Sequence, residues 1–527
     1  MKKLSLWITG VAISTAACAQ QNPTALKYGN VINVTDAKKH LSILASDEYE
    51  GRETGKPGAE KAANYIAAEF KRLGLQAPVN GSYFLDVPLT ENIVNVGALT
   101  INGQAFNNWK DFVYQGSAET KVAGSDIVFV GFGTPDELAG IDITGKVVLW
   151  INEDKPETGK TPNTSYRMSE GRRAIVKAMQ DKKPLLILAA NEGIATILAR
   201  FNGKNPSGGG GQLTIKKTGA DAAKNTAAPL FIVNGLVADA ALKTTGKTFA
   251  VLKEAAKTTK QSQVVKATAD VAITVTAKDV KAVDVLGYMP GKDLKLKNEV
   301  LVFSAHYDHI GLNPDPNAKD KVNNGADDDG SGTTGVLEIA RAFSKAQKEG
   351  KGPRRSVLFL ANVGEEKGLL GSEWYTDHPV YPLANTIADL NIDMIGRVGE
   401  EYIGKPDSAN YVYSIGSAML SSDLHKIGEA ANNNYTKMKL DYKYDDPNDP
   451  NRFYYRSDHY NFARYGVPII FYFNGVHADY HGLGDEVSKI NFPLLVKRAQ
   501  LAFFTGWELA NRDTRPVVDV KTPASTK

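Results

Sequence analysis

Five short stretches in the second half of the chain bring imidazoles and carboxylates together. His306-Tyr307-Asp308-His309 holds two histidines and an acid, and residues 324–332 read Asn-Gly-Ala-Asp-Asp-Asp-Gly-Ser-Gly. Gly364-Glu365-Glu366 carries adjacent glutamates, Asp393 lies in Asn391-Ile392-Asp393-Met394-Ile395-Gly396, and one loop holds His477, Asp479, Tyr480 and His481. Each stretch alone is ordinary: a Glu-Glu pair is usually solvated surface, and acids before Ser-Gly usually cap a helix. Together they resist a purely structural explanation, because gathered carboxylates and imidazoles repel and desolvate one another unless cations sit among them. Two divalent cations roughly 3.5–4 Å apart would remove that cost, hold a bridging water, lower its pKa and polarise a carbonyl. A free carboxylate beside the water would take its proton and pass it to a leaving amine. Adjacent Glu365 and Glu366 can divide this work, one reaching the water and the other a metal. An imidazole with carboxylate oxygens on each metal makes zinc the default, with cobalt or manganese able to substitute. The residue types leave His309 and Asp327 as alternatives to His306 and Asp328, and His477 and His459 as rivals to His481. His378 and His425 read as surface.

These groups must be carried by something that aligns them. In open α/β sheets functional groups gather at the carboxyl ends of the strands, and several stretches follow an apolar run. Strands are expected at Val283–Tyr288, Glu299–Ala305, Ser356–Val363, Ile387–Asp393, Tyr411–Ile415 and Pro468–Phe473, with helices between them, as at Thr333–Lys348. The alternation predicts an α/β domain with a mostly parallel sheet covered by helices on both faces. Residues 36–44 and 57–73 read as helices, the second ended by Gly74, and 493–511 as a closing helix. From 116 to 264 short β runs and Gly/Lys/Thr-rich loops predict a separate, β-rich insert. Its Ser207–Gly211 loop lacks the Lys-Ser/Thr of a phosphate loop.

Composition sets the outer bounds. The 527 residues are 42% apolar and 23% charged, which allows more than one core. Lys and Arg number 62 against 59 Asp and Glu, a net charge of +3, so no global basic field draws in nucleic acid. One cysteine excludes an internal disulfide framework and a Cys-rich zinc site. There is no G-x-S-x-G elbow of a serine hydrolase. Met1-Lys2-Lys3, an apolar run from Leu4 to Val11 and small residues up to Ala19 form a secretory signal. Ala17-Cys18-Ala19 fits cleavage after Ala19, giving a soluble exported protein, whereas Thr15-Ala16-Ala17-Cys18 fits a lipoprotein box that would anchor the protein to a membrane through Cys18.

The ordered motifs resemble the M28 family of dinuclear zinc peptidases, mostly aminopeptidases. Gly51-Arg52-Glu53-Thr54-Gly55-Lys56-Pro57-Gly58 and Val285-Leu286-Gly287-Tyr288 are similar to that family's opening and re-entry segments, so the resemblance spans about 40–115 and 280–500. Residues 116–264 resemble, more loosely, a protease-associated (PA) domain through Asp126–Gly133 and Asp142–Val148. The chain is thus expected to divide into a signal at 1–19, a peptidase domain from 25–115 and 265–513, the insert at 116–264 and a tail at 514–527. The resemblance also implies that His306 and Asp393 bind one zinc, Glu366 and His481 the other, and Asp328 both. Glu365 would be the general base and Asp308 would orient the His306 imidazole. In relatives the peptide bond after the bridging residue is often cis. Gly482 stands where relatives often carry Thr or Ser. The implied function is an exported dizinc aminopeptidase acting on peptides, with a carboxypeptidase or dipeptidase, or a receptor-like binding protein, as alternatives. The glutaminyl cyclases share this fold with one zinc, but the five-ligand set argues for two. Aromatic residues at Tyr454, Tyr455, Tyr460 and Phe471–Phe473 suggest a pocket for a neutral side chain, or core. The acidic loop Asp445–Asn451 reads as a solvated turn and not a calcium site.

Overall fold

The computed structural model describes residues 21–114, 116, 119–203, 211–216, 227–315, 317–446 and 448–520; the signal segment and Cys18 lie outside them. The chain forms two compact units, one built from the segments up to Pro88 and from Lys281 onward, the other from Leu89–Val280.

In the discontinuous unit the sheet is formed by β1 (Gln263–Met289, which enters the unit at Lys281), β2 (Val300–His306), β3 (Ser356–Asn362), β4 (Thr386–Ile392), β5 (Tyr411–Ile415), β6 (Lys439–Asp441) and β7 (Ile469–Phe473). Their order is β6-β5-β7-β4-β2-β3-β1. β3, β2, β4 and β7 are mutually parallel neighbours, and β1 and β5 join antiparallel. Every residue of β2, β3, β4 and β7 is buried, as expected for parallel strands covered on both faces. On one face Val300, Val302, Leu358 and Leu360 join a core with Tyr375 and Phe462. On the other, Phe303 stacks on Phe359 with ring centroids 5.8 Å apart, and Phe343 and Phe503 pack beyond it.

The covering helices include α1 (Val34–Leu44), α2 (Pro57–Leu73), α3 (Gly332–Lys348), α4 (Leu370–Asp377) and α5 (Phe492–Asn511). α2 starts with Pro57 in its first turn and stops at Gly74, whose φ of 86° is left-handed. α1 starts two residues before the expected 36 because the Asn33 side chain accepts from the Asp36 N–H. α3 begins where the chain comes closest to β4: a Cβ on Gly332 would fall 2.1 Å from the Ile392 carbonyl oxygen.

The Leu89–Val280 unit carries the expected short strands, adds helices between them, and extends beyond 116–264. Thr120–Phe129, Val147–Ile151, Leu186–Ala190 and Leu230–Val233 are parallel neighbours in that order. Helices Glu170–Gln180, Gly235–Leu242 and Phe249–Ala256 lie between and after them. The unit is therefore α/β. These helices are short, 11, 8 and 8 residues, which leaves an apolar stripe little length in which to repeat. Its borders fall outside 116–264 because Leu89–Asn92 pairs with Gln212–Ile215, and Thr100 and Ile101 pair with Asp270 and Ala269. Among the described residues no helix is long and apolar enough to cross a membrane.

Candidate metal centre

Parallel register brings the carboxyl ends of β2, β3, β4 and β7 to one edge. His306, the last residue of β2, is level with Asn362, the last of β3, so Glu365 and Glu366 emerge beside it. Asn391 is level with Phe471, so Asp393 and the loop after β7 emerge together as well. Asp328 arrives from the segment that leads into α3, and the Asp328–Asp329 peptide bond is cis.

The resulting geometry has two halves that share Asp328. On one side His306 Nε2 lies 3.4 Å from Asp328 Oδ1, 3.6 Å from Asp393 Oδ2 and 3.9 Å from Glu365 Oε2. On the other, His481 Nε2 lies 3.1 Å from Asp328 Oδ2 and 3.0 Å from Glu366 Oε2. His309 is also here, its Nδ1 2.8 Å from Glu366 Oε1. Thus His306, Asp328, Asp393, Glu365, Glu366 and His481 are brought together, and His309 stands across Asp328 from His306 instead of replacing it. Asp327 and His477 pair with each other, Oδ2 to Nε2 at 3.3 Å. His459 is core: its Nε2 contacts the Tyr454 carbonyl at 2.8 Å and its ring stacks on Phe471. His378 is exposed against Trp374, and His425 contacts Ser417.

Asp308 meets the His306 imidazole chiefly through its backbone. Its carboxylate Oδ1 is 3.8 Å from His306 Nδ1, whereas its backbone carbonyl is 3.0 Å from that nitrogen and accepts from it. This bond puts the proton on Nδ1 and leaves Nε2 free to face the carboxylates. The Asp308 carboxylate instead accepts from Thr54 Oγ1 at 2.7 Å and from the Glu365 N–H at 3.2 Å. It is the turn after β2 that aims the backbone carbonyl, and the carboxylate, at these partners.

Supporting bonds fix the remaining carboxylates. The Asp485 carboxylate accepts from the N–H groups of Asp327 and Asp328, each at 3.0 Å. Asp329 Oδ1 accepts from Gly332 and Met394 N–H, and Asp393 Oδ2 accepts from Ser457 Oγ at 2.7 Å. The buried Arg52 guanidinium donates to the carbonyls of Leu44, Tyr307, Asn324 and Gly325. Arg52, Thr54 and Ser457 were not singled out from the sequence as supports. Their partners are backbone atoms or distant acids, and no spacing signals either.

The electrostatics suit cations. Burial opposes a charge on His306, yet the carboxylates of Asp393 and Glu365 outweigh it and raise its pKa well above the usual value. His481 likewise rises to about 10, burial being overcome by Asp328 and Glu366. Burial alone would raise Asp328, but the facing imidazoles of His306 and His481 hold it well below the usual carboxylate range. Glu365 is pushed well above its usual value by burial, with Glu366 and Asp393 adding to it. His306 Nε2, His309 Nδ1, Asp328 Oδ2 and Glu366 Oε1 are buried with no hydrogen-bond partner, which is costly unless another ligand satisfies them. One ligand atom each from His306, Asp328 and Asp393 lies within 4.8 Å of the others, and the same holds for His309, Asp328 and Glu366. These nitrogen and oxygen donors fit divalent zinc.

Beside the acids is an open pocket walled by Met394, Phe453, Phe471, Phe473 and Val476 and edged by Tyr480 and Arg456. Of the aromatic cluster, Phe471 and Phe473 therefore line the cavity, whereas Tyr472 is buried against Thr505. In the acidic loop Asp446 and Asp449 accept backbone N–H groups of Asn448 and Asn451, as turns do.

A parallel sheet carrying paired imidazole–carboxylate groups at its strand ends defines a metal-centre α/β domain. Residues 284–505 match the family model of peptidase family M28. The chain is similar to aminopeptidase YwaD of Bacillus subtilis, 32% identical over 136 residues, which are 25% of this chain and 26% of that protein. It is 29% identical over 242 residues to leucine aminopeptidase 1 of Ajellomyces capsulatus, 44% of this chain and 56% of that one. The chain thus spans about half the length, or less, of these curated relatives. The solved aminopeptidase from Aneurinibacillus sp. strain AM-1 shares the fold, with a TM-score of 0.54 and 19% identity over 95% of this chain and 99% of that one.

Proposed function

We propose that the chain is a zinc-dependent exopeptidase, an aminopeptidase that removes N-terminal residues from peptides and uses Glu365 as general base. The observation that carries this reading is the position of Glu365, a carboxylate lining the cavity and adjoining two donor groups that share Asp328. His306 and Asp393 would hold one zinc, Glu366 and His481 the other, and Asp328 both. When bound, such a pair polarises a carbonyl and lowers the pKa of water. Glu365 takes the proton of the attacking water and delivers it to the leaving amine as the C–N bond breaks. Asp308 positions both partners, His306 through its carbonyl and Glu365 through its carboxylate. The apolar walls of the cavity suit a neutral side chain. Names of relatives, aminopeptidase and leucine aminopeptidase, support this choice. Export, with or without a lipid on Cys18, rests on residues 1–19 alone. We add the PA-like character of the insert as part of the same reading.

Hydrolysis of leucine anilide against N-acetyl-leucine anilide and leucine-terminated, N-blocked dipeptides tests it. Turnover requiring the free amine supports an aminopeptidase. One observation favours a carboxypeptidase or dipeptidase as the second reading: Arg456 edges the cavity, its guanidinium 4.8 Å from the Phe453 ring and 3.2 Å from Tyr480 Oη. A guanidinium there is suited to a substrate carboxylate. Turnover of the N-blocked dipeptides alone would select a carboxypeptidase, and turnover of unblocked dipeptides alone a dipeptidase.

A further inference from the structure

We propose that His309 is an additional protein ligand of the second cation, binding through Nδ1 beside Glu366 and His481. This rests on the two-metal reading above and goes beyond its five ligands. His309 is completely buried, and neither ring nitrogen has a hydrogen-bond partner. Its Nδ1 nevertheless comes within 2.8 Å of Glu366 Oε1 and 3.7 Å of Asp328 Oδ2. Ligand atoms of His309, Glu366 and Asp328 lie within 4.8 Å of one another, and His309 Nδ1 and Glu366 Oε1 make no hydrogen bond despite their closeness. Ligand atoms around one ion have this arrangement. A buried imidazole with both nitrogens unsatisfied is otherwise an expensive choice. The ring is held in place: a Cβ on Gly325 would fall 2.5 Å from its Cγ and Cδ2, so only glycine leaves it room. Its backbone N–H is tied to the Arg52 carbonyl at 3.2 Å.

The two cations would then differ in chemistry. The first has one imidazole, His306, and the second has two, His309 and His481. More nitrogen favours zinc over manganese or magnesium at the second position, and an added donor makes that position the tighter one.

The test is a crystal structure of the zinc-loaded full-length mature protein, with anomalous differences at the zinc edge, together with zinc titration of the metal-depleted wild type and His309→Gln. The expected result is two zinc peaks, with His309 Nδ1 at the usual zinc–nitrogen distance of about 2.0–2.1 Å from the one beside Glu366. His309→Gln should weaken the second zinc by about tenfold or more while leaving the first unchanged. Two zinc peaks with His309 Nδ1 outside ligand distance, or an unchanged second affinity in His309→Gln, would overturn the assignment of His309 alone. No zinc at either position would overturn the two-metal reading and this inference with it.

Discussion

Asp328 offers one oxygen to each half of the site, so whatever orients it orients both. That support is the Asp485 carboxylate, which accepts the N–H groups of Asp327 and Asp328. Asp485→Asn keeps the shape but removes the negative charge and turns one of the two accepting oxygens into a donor. It should weaken zinc binding by about 10–100-fold in a chelator competition titration, and an unchanged affinity would count against this account of the support. His459 gives a second prediction. Burial holds its pKa down to about 3 from the ordinary 6.5. Below pH 6.5 the unfolded chain binds a proton that the folded imidazole accepts only near pH 3, so its contribution to stability is complete above 6.5 and is lost as pH falls through that window. Urea titrations at several pH values should show a slope of up to about 1.4 kcal/mol per pH unit from this residue. The slope should be shallower by that amount in His459→Gln, and equal slopes would contradict it. At this scale side-chain chemistry was legible: His306, His309, His481 and the carboxylates around Asp328 all stand out in the sequence, and the structure brings them together. The sequence did not reveal that the Asp308 carbonyl aligns His306, because every residue has that atom and only the turn decides where it points. Nor did it show which side of Asp328 His309 would occupy, since His306 and His309 are three residues apart across an irregular turn.

Strands and helices decide whether those groups meet. The strands β2, β3, β4, β5 and β7 fall within two residues of their expected limits, because runs of buried branched and aromatic residues bounded by polar turns carry an unambiguous signal. β1 is longer than its expected Val283–Tyr288 segment, since its early part alternates buried and exposed residues and belongs to the other unit. The helices Glu170–Gln180, Gly235–Leu242 and Phe249–Ala256 were not legible, as at 11, 8 and 8 residues they are too short for a repeating apolar pattern. The junction between α3 and β4 is a tightly confined point of the discontinuous unit. Gly332→Ala places a methyl against the Ile392 carbonyl and the Asp329 carboxylate, and the helix must shift away. A loss of about 1–3 kcal/mol in urea unfolding is expected, the usual cost of overfilling a packed site. Metal affinity should fall with it because Asp329 bridges Gly332 and Met394, next to Asp393. Wild-type stability in this variant would contradict the packing argument.

Over the whole molecule, the ligand atoms all belong to the discontinuous unit, and Leu89–Val280 contributes none of them. Zinc should therefore stabilise one unit only. At free zinc a thousandfold above its dissociation constant, binding adds about 4 kcal/mol. Calorimetry with and without chelator should show one transition shifted and another unmoved, whereas equal shifts would mean that the units unfold together. The most direct check of the central claim is zinc content and leucine-anilide hydrolysis measured side by side for the mature wild type and Glu365→Ala. The account predicts about two zinc ions per chain in both proteins, in line with a two-metal site, and hydrolysis lowered by about 10²–10⁴-fold in the variant alone, the usual worth of a general base. A metal-free wild type, or a Glu365→Ala protein that retains its zinc and hydrolyses at the wild-type rate, would contradict it.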